Sequence, residues 1–197
     1  MAYKIFRIAG TEDLIKAVEG FGRQGRAAIV QAVNRVATGA RTDAVTLIRQ
    51  HLMLKAKAVR SGLSVTKAKV SDYPSPRAIL TGRGKRGIPL MNYPVRPSKI
   101  GGRKPKVGVS AQIKRHGARK TVRGSFVARM KSGHVGVFKR NSGAPRLPIR
   151  ELSGVGFIGY LERGMVGRQL AKRISERLTK ELTASVRNML RKLEGRK

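Results

Sequence analysis

Residues 124–140 read GSFVARMKSGHVGVFKR, and this stretch decides the fold class. Two runs of alternating and β-branched residues flank Lys131-Ser132-Gly133, the pattern of an antiparallel hairpin closed by a short glycine-containing turn. Phe126, Ala128 and Met130 fall on one face, and Val135, Val137 and Lys139 on another. The hairpin sits inside the most basic part of the chain, so that part is β-rich.

Outward from it, Lys67–Val70, Arg77–Thr81 and Lys106–Ile113 show the same short, alternating character and are expected as strands. Thr81–Arg103 (TGRGKRGIPLMNYPVRPSKIGGR) is rich in Gly, Pro and base, the composition of a long arm ordered only on binding. Arg115–Arg123 (RHGARKTVR) is a second basic turn, and Arg146–Ile149 (RLPI) is extended around Pro148. Near the start, Tyr3–Ile8 has strand character. Thr11 with Glu12 and Asp13 then caps a first helix holding Leu14, Ile15 and Val18, which Gly20, Gly22 and Gly25 interrupt.

Two long helices complete the chain. From Arg26 to Met53, the residues Ile29, Val33, Val36, Ala40, Ala44, Leu47 and His51 recur at three- and four-residue steps. Leu54–Arg60 either extends this helix or forms a short one, and Gly62 ends it. Ser153, Gly154 and Gly156 mark a break before a final helix from about Ile158. That helix carries Leu161, Met165, Leu170, Ile174, Leu178, Leu182, Val186, Leu190 and Leu193, mostly four apart. Gly164 and Gly167 weaken its first turns, and Glu176 with Lys180 forms an i, i+4 pair. The expected class is α+β: long N- and C-terminal amphipathic helices packed on a small antiparallel sheet with extended basic arms. Residues 1–197 are expected as a single domain: a helical part to 62, a basic β-rich part over 63–150 with its arm at 81–103, and the terminal helix from 151.

Charge narrows the function. Residues 54–150 hold twenty-five Lys and Arg against Asp72 alone, about +24 of the chain's +34. Such a surplus repels itself, and a nearby polyanion offsets it. Tyr73, Tyr93, Phe126 and Phe138 are too few and scattered for a base-stacking platform, so the expected contact is with phosphate and carries no sequence readout. Arg83, Lys85, Arg86, Arg103, Lys104, Lys106, Lys114, Arg115, Arg119 and Lys120 lie in tracts without an acid and are the expected phosphate contacts. Ile29, Val33, Val36, Leu170, Ile174 and Leu178 are the expected subunit-packing residues.

Other chemistries lack their residues. Glu12 and Asp13 suit a helix start, His51 continues an apolar stripe, and His116 and His134 stand in basic segments. No triad or zinc-ligand spacing is present. Gly82-Arg83-Gly84-Lys85-Arg86-Gly87 lacks the spacing and the hydroxyl after Lys of a phosphate-binding P-loop. A non-enzyme without catalytic residues, metal or cofactor is expected. There is no Cys, which suits a reducing compartment. The first ten residues lack a signal peptide's apolar core, and no run approaches the roughly 18 apolar residues of a membrane span; a soluble protein away from membranes is expected.

Four passages in order resemble the minor tail protein Z family of tailed bacteriophages, of the lambda-like type. They are Ala32-Val33-Asn34-Arg35-Val36-Ala37, the LKAKAVRSGLSVTKA stretch at 54–68, the 124–140 hairpin, and Arg146-Leu147-Pro148-Ile149 before the last helix. The likeness spans roughly residues 28–195; the arm at 82–103 and the start at 5–25 follow the pattern less closely. The resemblance implies a virion protein made in the host cytoplasm and placed at the head-proximal end of the tail. It implies tail completion and head–tail joining, in a homo-oligomeric ring of expected sixfold symmetry. Tail terminator, tail tube and head–tail connector proteins are the implied neighbours, with phage DNA in the channel. A non-sequence-specific nucleic-acid binder, such as a ribosomal or nucleoid protein, accounts for the charge equally well. A phage nuclease would need a carboxylate cluster that the chain lacks.

Overall fold

The apolar stripe of the first half becomes one long helix, α1 (Gly22–His51). It belongs to a computed structural model describing residues 3–9, 16, 18–83, 87–98, 100, 107–141, 147–162 and 164–194. Ile29, Val33, Val36, Ala40, Ala44 and Leu47 are all buried, as their spacing requires. The helix begins before Arg26 and includes Gly25, where a Cβ would stand 2.4 Å from the Val18 carbonyl oxygen. This glycine therefore admits a neighbouring backbone and does not break the helix. The first expected helix, around residues 11–18, lies largely outside the described residues. Leu54–Arg60 does not extend α1; a separate short helix, α2 (Ala56–Ser61), follows it.

The final helix divides into α3 (Ile158–Glu162) and α4 (Met165–Glu194). Its buried stripe is Val166, Leu170, Ile174, Leu182, Ser185 and Met189, which corrects the expected one. Met165 and Leu190 are exposed. A strict four-residue step advances about 400° and so drifts off the buried face, whereas 3.6 residues complete a turn. Glu176 pairs with Lys172 at 4.0 Å, on the exposed side, and not with Lys180.

The described chain divides into two units, where one domain of three successive parts was expected. The first comprises residues 1–47, 60–83 and 160–197, and the second residues 48–59 and 84–159. In the first unit α1 and α4 are tied by charge. The Asp43 carboxylate accepts a hydrogen bond from Arg177 Nη2 at 2.8 Å and pairs with Arg173 at 3.5 Å. Gly39 makes room: a Cβ there would sit 2.7 Å from Arg177 Nε. The unit also holds a sheet of β1 (Tyr3–Ala9), β2 (Leu63–Thr66) and β3 (Arg77–Gly82) in the order β1-β3-β2, all antiparallel. The strand expected at Lys67–Val70 is displaced to β2. The reason is Asn34, whose amide donates to the Ala68 carbonyl at 3.0 Å while its carbonyl oxygen accepts from the Ala68 N–H at 2.8 Å. With its backbone served by a side chain, this segment needs no strand partner.

The second unit is mostly strands: β4 (Ile88–Pro89), β5 (Val95–Arg96), β6 (Gly108–Ala111), β7 (Lys120–Arg123), β8 (Ser125–Arg129), β9 (Val135–Arg140), β10 (Ile149–Glu151) and β11 (Ser153–Gly154). They form the sheets β5-β6-β7 and β10-β9-β8 and the pair β11-β4. β8 and β9 are the hairpin, with Phe126 opposite Phe138 and Val127 opposite Val137. The Gly133 N–H donates to the Met130 carbonyl at 2.9 Å, and the Met130 N–H to the His134 carbonyl at 2.8 Å. Gly133 has φ +81°, the left-handed residue that a three-residue hairpin loop needs. Nothing lies within 4 Å of where its Cβ would be, so Gly133→Ala is expected to cost only the backbone strain, about 1 kcal/mol, read by chemical denaturation.

Two expectations are corrected in this unit. The segment expected as an arm at 81–103 contains β4 and β5, and Ile88, Leu90, Tyr93 and Val95 within it are buried. The Tyr93 hydroxyl donates to the Val155 carbonyl at 2.5 Å. The basic turn at 115–123 ends in β7, paired along its length with β6. Ser125 joins the two three-stranded sheets: its buried hydroxyl accepts from the Val109 N–H at 2.9 Å and donates to the Val122 carbonyl at 2.6 Å.

Candidate nucleic-acid interface

The second unit contains twenty-one Lys and Arg and one acid, Glu151. The acid's Oε1 lies 2.8 Å from His134 Nε2, and its single charge could offset only one of the twenty-one. The charge balance for these cations therefore has to come from outside the unit.

Strand register arranges some of them. Across β5-β6-β7, Arg96 stands opposite Ser110 and Ser110 opposite Thr121, with Arg123 two residues farther along opposite Gly108. Alternation puts these side chains on one face and Val95, Val109, Ala111 and Val122 on the other. Val95, Val109 and Ala111 are buried, while Arg96, Thr121 and Arg123 are exposed and Ser110 is half-buried. The outer face therefore offers two guanidinium groups and the Thr121 hydroxyl, donors that suit phosphate oxygens, while the Ser110 hydroxyl donates to the Arg96 carbonyl at 3.4 Å. In the other sheet Lys139 lies directly opposite Arg150, a like-charge cross-strand pair that is unfavourable by itself.

The expected phosphate contacts separate into three groups. Lys85, Arg86, Arg103, Lys104 and Lys106 lie outside the described residues. Arg83 is exposed in the first unit, just past β3, its N–H donating to the Gly62 carbonyl at 2.7 Å. Lys114, Arg115, Arg119 and Lys120 come together in the second unit, in the connection from β6 into β7. Two of these four hold backbone in place. Arg115 Nε donates to the Arg49 carbonyl at 2.9 Å, near the C-terminus of α1, where cations are favoured. Arg119 Nη1 donates to the carbonyls of Pro94 at 3.0 Å and Ser110 at 3.3 Å. Lys114 and Lys120 are exposed. Sequence reasoning missed Arg96, Ser110, Thr121 and Arg123. The alternation of Lys120-Thr121-Val122-Arg123 was the available signal for the last two.

Of the six expected subunit-packing residues, Ile29, Val33, Val36, Leu170 and Ile174 are buried within the single chain, and Leu178 is half-buried. Five of the six thus serve the core of the chain's own first unit.

The aromatic residues are occupied in packing. Tyr93 is buried, the Phe126 and Phe138 rings pack at 6.4 Å, and the Arg26 guanidinium lies 4.8 Å over Tyr73. Among the described residues no group of three or more His, Cys, Asp or Glu is placed to hold a metal ion. Among them, no helix is long and apolar enough to cross a membrane. The arrangement can bind phosphate through charge and hydroxyl donors.

Compared with known proteins, residues 8–196 match the family model described as prophage minor tail protein Z (GPZ). No curated protein and no solved structure matches the chain.

Proposed function

The chain belongs to the prophage minor tail protein Z family, and we propose that this phage minor tail protein completes the head-proximal end of the tail with its second unit facing phage DNA. The observation carrying the DNA-facing part is the uncompensated charge of that unit, whose lone acid is held by His134. A polyanion removes the self-repulsion, and the Arg96–Ser110–Thr121–Arg123 face provides contacts to a phosphate backbone without reading sequence. In this reading copies form a closed ring, hexameric like the tube it caps, beside tail terminator or tail tube proteins and connector proteins. The role is structural and calls for no catalytic step. A free nucleic-acid binder would use the same face; the family favours the virion.

Imaging of intact particles tests the position: density for this chain as a ring at the tail's head-proximal end is the expected result, and density elsewhere or none would overturn it. The face has its own test. Arg96→Gln with Arg123→Gln is expected to lower the slope of log affinity against log salt by about 2, one for each phosphate no longer neutralised. Titrating double-stranded DNA over a salt series measures it, and an unchanged slope would remove this face from the interface.

A further inference from the structure

A cleft of about 930 Å³ opens in the first unit between the early turns of α1 and the late turns of α4. We propose that it binds an acidic amphipathic helix of a neighbouring tail protein, an inference that rests on the virion reading above.

The shape follows from two facing stripes. Positions 24, 27, 28, 31 and 35 of α1 and 185, 188, 189 and 192 of α4 line the cleft at helical spacing. The α1 stripe runs over twelve residues, from 24 to 35, roughly 16 Å at a rise of about 1.5 Å per residue, which is about three turns of an occupant helix. Ala27, Ala28 and Met189 give a floor of small and pliable apolar groups. Alanine lets a backbone approach closely, and methionine adapts to what it meets.

The rim fixes the sign of the partner. Arg35, Arg191 and Lys192 are cationic, Gln24, Gln31 and Asn188 supply amides, and no acid lines the cleft among the described residues. Glu181 pairs with Arg35 only at 3.7 Å, and the Arg35 side chain remains half exposed. Carboxylates on one face of an incoming helix complement this rim, while its apolar face meets the floor. A nucleic-acid backbone has no apolar face to bury there.

Ser185 leaves a polar group unmet beside the cleft. Its residue is only 6% exposed, it lines the cleft, and its hydroxyl has no hydrogen-bond partner among the described residues. Helix hydroxyls usually bond back to the carbonyl four residues earlier. Thr38, Thr46 and Thr183 do so here at 2.9, 3.2 and 3.0 Å. Ser185 does not, and because its oxygen is closed to solvent, an occupant would reach it only after the side chain turns toward the cleft.

The chain has no Cys, so a single introduced thiol reports on one place. Asn188→Cys puts it in the cleft, and Ala171→Cys puts it on an exposed part of α4 outside the cleft. In free protein both should react with a maleimide at similar rates. In purified tails the thiol at 188 should react several-fold more slowly while that at 171 stays reactive. A photo-crosslinking residue in place of Asn188 should then join to an acidic segment of another tail protein. Adding Arg191→Glu and Lys192→Glu should abolish both the protection and the crosslink, with the free variant unfolding at the parent's midpoint. Equal reactivity at 188 in free protein and tails overturns the inference and leaves the virion reading standing. A crosslink to DNA or to a second copy of this chain also overturns it. Absence of the chain from purified tails overturns both.

Discussion

Asp43→Ala is expected to lower stability by about 2–3 kcal/mol, the range for removing a charged hydrogen-bond partner from a mostly buried pair. The side chain of Asp43 is only 14% exposed, and it is the shared acceptor for Arg173 and Arg177. Without it, two cations on α4 face each other in a chain already at +34. Arg177 suffers most, since its guanidinium lies against Gly39 and its Nε is buried without a partner among the described residues. The two arginines remain about 40% exposed, and solvent keeps the cost below that of a fully buried pair. Asp43→Leu with Arg177→Met should recover most of the loss, because apolar groups of similar size replace an ion pair at little net cost. Chemical denaturation of the single and double variants measures both. A single variant as stable as the parent would mean that Asp43 does not hold these helices.

Gly108→Ala should be as damaging and should also weaken DNA binding. Gly108 has φ +142°, a region that residues with a side chain avoid. Its Cβ would stand 2.0 Å from the Val122 carbonyl oxygen and 3.1 Å from Arg123 Cα. Both atoms belong to the backbone of β7, which cannot swing aside as a side chain can. Strain and overpacking together are expected to cost about 3 kcal/mol. The strands must part at Gly108–Arg123, which displaces Arg123 and Thr121 from the outer face. Denaturation and DNA titration should therefore worsen together, whereas Gly133→Ala should leave DNA binding intact. Normal stability with a parent-like salt slope in Gly108→Ala would refute this account of the face.

The parts legible in sequence were those set by local period. The hairpin declared itself through alternation around Lys131-Ser132-Gly133, and α1 through its apolar stripe. What escaped was set by distant partners. Asn34 takes the backbone of Ala68 from thirty-four residues away, so no local pattern at 67–70 could show that the strand ends early. β4 and β5 are two residues long, too short for any period, and their buried Ile88 and Val95 sit among Gly, Pro and base. The stripe on α4 was legible but mis-phased, because the apolar series Leu178, Leu182, Val186 and Leu190 steps by four while the inward face turns to Ser185 and Met189. For the candidate interface, composition revealed the charge but not its arrangement. Arg115 and Arg119 looked unengaged because their carbonyl partners come from Arg49, Pro94 and Ser110. Arg96 and Arg123 became neighbours only through strand pairing. Asp43 passed unnoticed, since its arginines lie more than a hundred residues downstream.

The charge surplus of the second unit also bears on timing. With twenty-one Lys and Arg against one carboxylate, the second unit gives every free copy a surface of like charge, and such copies hold one another off in solution. Salt shortens the reach of that repulsion to about 8 Å at physiological strength, but surfaces brought into contact still feel it. In the proposed ring, copies would crowd their second units together only once an anion lay between them. If the second unit faces DNA as proposed, the same surplus would work as a safety catch against premature self-assembly, released by the surface on which the protein settles.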